Sequence, residues 1–199
     1  MSKKAIAHLS QDPLFKEIIE TTKISRSKSD GDAYAALIRA IVYQQLSGKA
    51  AGTIHGRFLG LFKNGYPEAK CLIRFSEEEL RAVGLSRQKG SYIQNVARYW
   101  IDNKLEKTDW KKFSDKEIID MLTEIKGVGV WTVQMLLMST LKRPDVFPTN
   151  DLGINNAIIK RYRLRSKGKQ LSKRILKISE PWSPYRSIAC LYLWRWIDQ

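Results

Sequence analysis

The Gly127-Val128-Gly129 triplet breaks two adjoining helical patterns, and that break limits what this chain can fold into more than any other stretch. Upstream, Ser114 and Glu117 have the spacing of a capping box, which predicts a helix start. Ile118, Met121, Leu122 and Ile125 then recur on one helical face. Downstream, residues 130–141 are apolar on nearly all sides, which predicts a buried helix. The glycines between them stop the first helix and allow backbone geometry that other residues resist. Two helices joined through so short a turn present several backbone N–H groups at a helix N-terminus. Such a group of donors can hold a phosphate without side-chain charge.

The rest of the chain follows the same plan, with Gly and Pro punctuating short helical patterns and little strand alternation. The pattern predicts a helix over 12–22 with Pro13 in its first turn, a polar loop over 24–31, and a buried helix over 32–46. Gln44-Gln45-Leu46-Ser47-Gly48 breaks that helix, with Ser47 placed to cap the next, over 49–62, which stops near Asn64-Gly65. Ser76 and Glu79 form a second capping box, and Gly84 closes the helix it opens. Further helices are predicted over 87–100, from Asp151 to about 162, and over 171–178. A last one opens with Ser183 as N-cap and Pro184 in its first turn. The sum is an all-α chain of about ten helices.

The 199 residues are enough for one large domain or two small lobes, and a hydrophobic content of 43% supports a core. A net charge of +15 and a pI of about 9.9 favour a polyanionic partner. The distribution is more telling than the sum. No acid occurs over 152–179, while Lys160, Arg161, Arg163, Arg165, Lys167, Lys169, Lys173, Arg174 and Lys177 all fall there. A run of this kind is often a solvated face; directly after a phosphate-binding turn it favours nucleic acid. Cys71 and Cys190 cannot build a disulfide framework, and with only His8 and His55 beside them a zinc centre is not expected. No apolar run reaches membrane-spanning length and no secretory core opens the chain, so the expected location is the cytosol, or the nucleus in a eukaryote, with no membrane partner.

Phosphate-loop, dinucleotide, metalloprotease and Ser-His-Asp patterns are missing, so any chemistry rests on carboxylates. Asp151 stands out, because Pro148-Thr149-Asn150-Asp151 marks a helix start after apolar Val146-Phe147. On spacing alone it is a helix cap or a catalytic acid, and caps are the commoner case. Asp145, after Pro144, is the competing acid and reads as a residue that orders the loop.

Ile125-Lys126-Gly127-Val128-Gly129, followed by Val146-Phe147-Pro148 and Asp151, resembles the helix-hairpin-helix DNA glycosylases that carry a Gly/Pro-rich loop and a catalytic aspartate. Within that superfamily the chain is most similar to the alkyladenine (3-methyladenine) DNA glycosylase II branch. Three further stretches carry that similarity: Ile41-Val42-Tyr43-Gln44-Gln45-Leu46-Ser47 with Lys49-Ala50-Ala51; Leu80-Arg81-Ala82-Val83-Gly84-Leu85-Ser86 with Lys89; and Pro184-Tyr185-Arg186-Ser187-Ile188-Ala189 with Leu193-Trp194. Four motifs in consistent order over about 30–197 make the resemblance specific.

The resemblance implies a single glycosylase domain over 1–199, its hairpin at about 114–141, in a two-lobed helical bundle with a DNA-binding cleft between the lobes. It places Asp151 as the catalytic aspartate, and the amides of Gly127, Val128 and Gly129, with Lys126 beside them, on a DNA phosphate. Carbonyls of Thr123, Ile125 and Val128 match those that hold a structural Na⁺ or K⁺ in relatives. Trp131 and Tyr185 match aromatics of the alkyl-base pocket. Gln45 or Leu46, with Ser47 beside them, matches the segment that fills the gap left by the extruded nucleotide. Lys126 departs from the usual hairpin proline, and Met135 and Leu152 stand where some relatives have tyrosines, implying a less aromatic pocket. Trp131 occupies the lyase-lysine position, so the expected enzyme is monofunctional. The four-cysteine iron–sulfur motif is absent from the sequence, no required cofactor is expected, and an added N-terminal β-domain does not fit.

The implied activity is hydrolytic excision of alkylated bases of the 3-methyladenine and 7-methylguanine type from duplex DNA, by a monomer that flips the base out of the stack. Two other readings stay open at this point: a noncatalytic module that grips DNA backbone, and a glycosylase for oxidised or mismatched bases.

Overall fold

A computed structural model describes residues 3–24 and 31–199; the loop expected at 24–31 lies outside the described residues except at its two ends. The described residues form twelve α-helices and three short 3₁₀ turns, with no strand among them. In chain order the helices are α1 (Lys3–Leu9), α2 (Pro13–Thr21), α3 (Ala33–Tyr43), α4 (Gly48–Leu59), α5 (Ala69–Leu72), α6 (Glu77–Ala82), α7 (Arg87–Asp102), α8 (Asp115–Thr123), α9 (Val130–Ser139), α10 (Leu152–Tyr162), α11 (Gly168–Ser179) and α12 (Arg186–Ile197). No helix among the described residues is long and apolar enough to cross a membrane.

The caps explain most of the helix starts. Ser76 and Ser114 each accept the N3 amide while Glu79 and Glu117 reach back to the cap amide, so both expected capping boxes are made. Asp12, Asp32, Ser47, Ser86 and Asp151 cap α2, α3, α4, α7 and α10. Some boundaries differ from expectation. The helix predicted to reach residue 46 stops at Tyr43, because Gln44 turns to an extended ψ of 131° and Gln45 follows in a left-handed conformation, and the next one stops at Leu59 rather than at 62. Ser183 does not cap α12: it follows a 3₁₀ turn and its hydroxyl is spent on Asp145, at 2.8 Å, while α12 starts at Arg186. Two short helices, α1 and α5, add to the ten expected; at seven and four residues each is too short for periodicity to reveal.

The described residues fall into two compact units, one within 30–136 and one drawn from 1–29 and 137–199. In the unit within 30–136, α7 is the central rod, packed against α3, α5 and α6. Its Ile93, Val96, Ala97 and Trp100 are buried, the face that the sequence pattern predicts. Polar arms of the same helix satisfy backbone ends around it. Gln94 donates to the carbonyls of Leu72 and Phe75, at 3.3 and 2.8 Å, and Lys89 Nζ donates to Val42 O at 2.8 Å. Burial pulls the Lys89 ammonium below its ordinary value.

In the unit formed by the two chain ends, α12 packs against α2 and α10, and α11 against α10. Phe15, Ile18, Ile154, Ala157, Ile158, Trp182 and Leu193 fill its core. Asp12 serves twice, capping α2 through Oδ1 and accepting the Tyr162 hydroxyl through Oδ2. Arg161 donates to Leu14 O at 2.8 Å and pairs with Glu17. The end of α10 is thereby fastened to the start of α2.

Candidate functional site

Asp151 sits where α10 begins, and its local sequence explains how it is held. The Val146 amide donates to Ser187 Oγ at 2.9 Å and the Asp151 amide to Pro148 O at 3.0 Å, so the approach to the cap is fixed at both ends. Asn155 Nδ2 adds a bond to Thr149 O at 2.9 Å. Asp145 orders the same loop, as expected: Arg186 Nε and Nη2 each donate to one of its oxygens at 2.8 Å. Burial works to raise the Asp145 carboxyl, but the hydrogen bonds from Arg186 and Ser183 outweigh it and leave the group below its ordinary value.

The carboxylate of Asp151 is only 7% exposed and is spoken for. Its Oδ1 accepts the Ile154 amide at 2.8 Å, the bond of an N-cap. The same oxygen accepts the indole N–H of Trp194, also at 2.8 Å, from α12. Gly153 makes room for that indole: a Cβ there would lie 3.1 Å from Trp194 Cδ1 and 3.4 Å from Asp151 Oδ1. Cys190, one turn earlier on α12, is fully buried, and its thiol is pushed well up, by burial first and by the charge of Asp151 second. Of the two readings of Asp151 in the sequence, the structure shows the cap, and the capping oxygen also takes a donor from α12. Trp194 carries no sequence signal beyond its place in the last motif; only the fold brings it to the carboxylate.

The glycine turn lies in the other unit. α8 ends at Thr123, before the glycines, and residues 124–129 form the connection to α9. Gly127 has φ +105°, and a Cβ on it would fall 2.2 Å from Tyr92 Cγ, so both backbone and packing demand glycine. Gly129 has no atom within 4 Å of where a Cβ would stand, which leaves the start of α9 open to approach. A second face of α7 supports the turn. Tyr92 lies against Gly127 and accepts a hydrogen bond from Gln88 Nε2 at 2.6 Å. Asn95 Nδ2 donates to Lys126 O at 3.2 Å, and the Tyr99 hydroxyl donates to Met121 O at 3.0 Å. Residues 88, 92, 95 and 99 share a stripe by helical spacing.

The expectation of a wholly buried α9 needs correcting. Thr132, Val133, Leu136 and Leu137 are buried, but Val130 and Trp131 in the first turn are about half exposed, at 49% and 45%. Lys126 is exposed, and Met135, one turn beyond Trp131, is half-buried. At the far end of α3, Gln45 has φ +56° and is exposed, and Leu46 beside it is a large apolar side chain at 39% exposure. Ser47 is first of all the cap of α4, through the Ala50 amide at 3.4 Å. His55 is half-buried with its ring edge-on to Tyr43, 5.9 Å between centroids. In the unit of Asp151, Leu152 stands out at 73% exposure, and the ring of Tyr185 meets His8 edge-on at 5.4 Å. His8 is fixed by donating to Pro181 O at 2.8 Å, so the unforeseen α1 supports Tyr185.

Known proteins resemble this chain along most of its length. DNA-3-methyladenine glycosylase 1 of Schizosaccharomyces pombe is 36% identical over 198 residues, 96% of this chain and 86% of its own. A solved structure of the 3-methyladenine DNA glycosylase of that yeast, in complex with abasic DNA, superposes with a TM-score of 0.84 over 96% of this chain and 95% of its own, at 36% identity. A DNA-3-methyladenine glycosidase from Bacillus halodurans gives 0.83 over 100% of this chain and 90% of its own, at 31% identity. A family model, described as HhH-GPD superfamily base excision DNA repair protein, matches residues 38–184, from the middle of α3 to the residue before Tyr185. With relatives this similar along its whole length, the chain belongs to the HhH-GPD superfamily of base excision DNA repair proteins.

Proposed function

We propose that the protein is a monofunctional DNA glycosylase that extrudes alkylated purines from duplex DNA and hydrolyses their glycosidic bond, as the first step of base excision repair. The observation that carries this reading is the nearly buried Asp151 carboxylate, held by two N–H donors on one oxygen, in a chain of this family. An N-alkylated purine carries positive charge and departs as a neutral base, so strong general-acid help is not required. The C1′–N bond breaks towards the base, and positive charge develops on the sugar. Asp151 stabilises that charge and orients the water, which bonds to C1′ and gives up its proton to the carboxylate and then to solvent. A fixed carboxylate needs little reorganisation as the charge develops.

The remaining roles follow residue by residue. The amides of Gly127, Val128 and Gly129 take a phosphate, with Lys126 adding charge. Leu46, presented by the left-handed Gln45, enters the duplex where the nucleotide has left. In the unit within 30–136, Trp131, with Met135 one turn beyond it, offers an aromatic face to a cationic base; in the unit of Asp151, Tyr185 does the same, and Leu152 supplies an exposed apolar side chain. Carbonyls of Thr123, Ile125 and Val128 suit a monovalent cation: they come from the C-terminal end of α8 and its connection. Ile125 O, which accepts the Val128 amide at 3.0 Å, keeps a second lone pair. A bound Na⁺ or K⁺ would stiffen the turn. The protein acts as a monomer wherever the cell keeps its DNA.

Methylated duplex DNA is the direct test. Chromatography of the supernatant should show free 3-methyladenine and 7-methylguanine, and Asp151→Asn should release neither while still binding DNA. No released base from any damaged duplex would leave a backbone-gripping module in place of an enzyme, and full activity in the Asn variant would remove Asp151 from the chemistry.

A further inference from the structure

The acid-free run over 152–179 is only partly used inside the protein. Lys160 Nζ lies 5.1 Å from the ring centroid of Trp196, Arg161 is taken by Glu17 and Leu14 O, and Arg174 Nη1 donates to Ser166 Oγ at 2.9 Å. Arg163, Arg165, Lys167, Lys169, Lys173 and Lys177 remain. All six are exposed, and none pairs with a carboxylate among the described residues. Glu180, three residues after Lys177, forms no ion pair with it.

Their placement is regular. α11 buries Ile175 and Ser179 and half-buries Leu171 and Ile178, which leaves Lys169, Lys173 and Lys177 on the opposite side at steps of four residues, roughly 6 Å apart. Like charges at that spacing repel and cost helix stability in the free protein. An anionic partner reverses the sign of the interaction. Arg163, Arg165 and Lys167 continue the stripe through the connection from α10, of which Arg163 is the left-handed C-cap. Asp151 caps the other end of that helix, so basic loop and acid are held roughly 16 Å apart by a rigid rod of 11 residues.

We propose that the 163–167 loop and the outward face of α11 form a second contact for the phosphate backbone of duplex DNA, outside the damaged nucleotide. This contact sets non-specific affinity and travel along the duplex, and leaves the chemical step to Asp151. The proposal rests on the reading of the protein as a DNA glycosylase. Phosphate is the partner the charge favours, because a duplex carries about one negative charge per 1.7 Å and each neutralised phosphate releases a counterion.

The test is K169Q/K173Q/K177Q, with R163Q/R165Q/K167Q as an independent variant should the first fail to fold. Affinity for an undamaged duplex of about thirty base pairs is measured against KCl concentration. Loss of three phosphate contacts should flatten the slope of log affinity against log salt by roughly 2 to 3. On a duplex with two methylated bases, the share processed at both sites in one encounter should fall, while single-turnover base release at saturating enzyme stays at the parental rate. An unchanged slope overturns the proposal. So does a fall in the saturated single-turnover rate, which would put the surface in the chemistry. So too does loss of binding to phosphatidylserine vesicles or polyglutamate with DNA binding intact. Should the parent release no base at all, the glycosylase reading fails, and the salt slopes on undamaged DNA still decide the surface.

Discussion

Asp151, Trp194 and Gly153 work as one device. The indole N–H takes one side of Oδ1 and the Ile154 amide another, so the carboxylate cannot rotate without losing both. Trp194→Phe keeps the ring and removes the donor. Base release at saturating enzyme should slow by about tenfold, the effect of raising the barrier by about 1.4 kcal/mol, with duplex affinity unchanged. Comparing single-turnover rates with binding isotherms checks this, and equal rates would make the indole a packing element only. Gly127→Ala tests the other key residue. A left-handed φ and a ring 2.2 Å from the new Cβ together should cost about 3 kcal/mol in chemical denaturation. Here the sequence was readable in part. A Gly-x-Gly break asks for unusual backbone, but nothing in the text pairs Tyr92 with Gly127, because that contact is 35 residues away in the chain (127 − 92). The bond from Trp194 to Asp151 was hidden for the same reason: local spacing carries a cap and cannot carry a partner from another helix.

Among the elements, α7 was half legible. Its apolar stripe follows from periodicity, while the polar stripe that braces the turn reads, in sequence, like any solvated face. The same holds for the segment from Pro144 to Arg186. Serine before proline suggested a cap, but the Ser183 hydroxyl had a stronger claimant in Asp145, which also takes both prongs of Arg186. This staple gives a pH signature. Asp145 titrates below its ordinary 3.8 in the folded protein, so its contribution is whole above that value and is lost as pH falls through the folded value. Asp145→Asn should lower the stability by roughly 2 kcal/mol at neutral pH. The gap in melting temperature between parent and variant should then close as pH is lowered from 5 to 2.5; a constant gap would assign the loss to packing instead.

At the scale of the whole molecule, one unit is continuous in sequence and the other is assembled from both chain ends. The all-α class, the helix order and most of the caps were readable because helices are local objects. The discontinuity was not, since no periodicity reports that Phe15 will meet Trp182 at 4.9 Å between ring centroids. That contact makes the N-terminal segment part of a core otherwise built from residues beyond 136. Phe15→Ala should therefore cost about 3–5 kcal/mol, a loss of the size expected for a large core side chain. Thermal unfolding followed by circular dichroism would report it, and a shift of only a degree or two would show that the chain ends do not depend on each other.

The double use of Asp151 bears on how such a protein ages in a genome. Asparagine caps a helix about as well as aspartate. On the role proposed for Asp151, an exchange at this one position would end catalysis and leave the architecture standing. On that proposal, a copy silenced in this way would persist as a folded protein that no longer acts on the bases it meets.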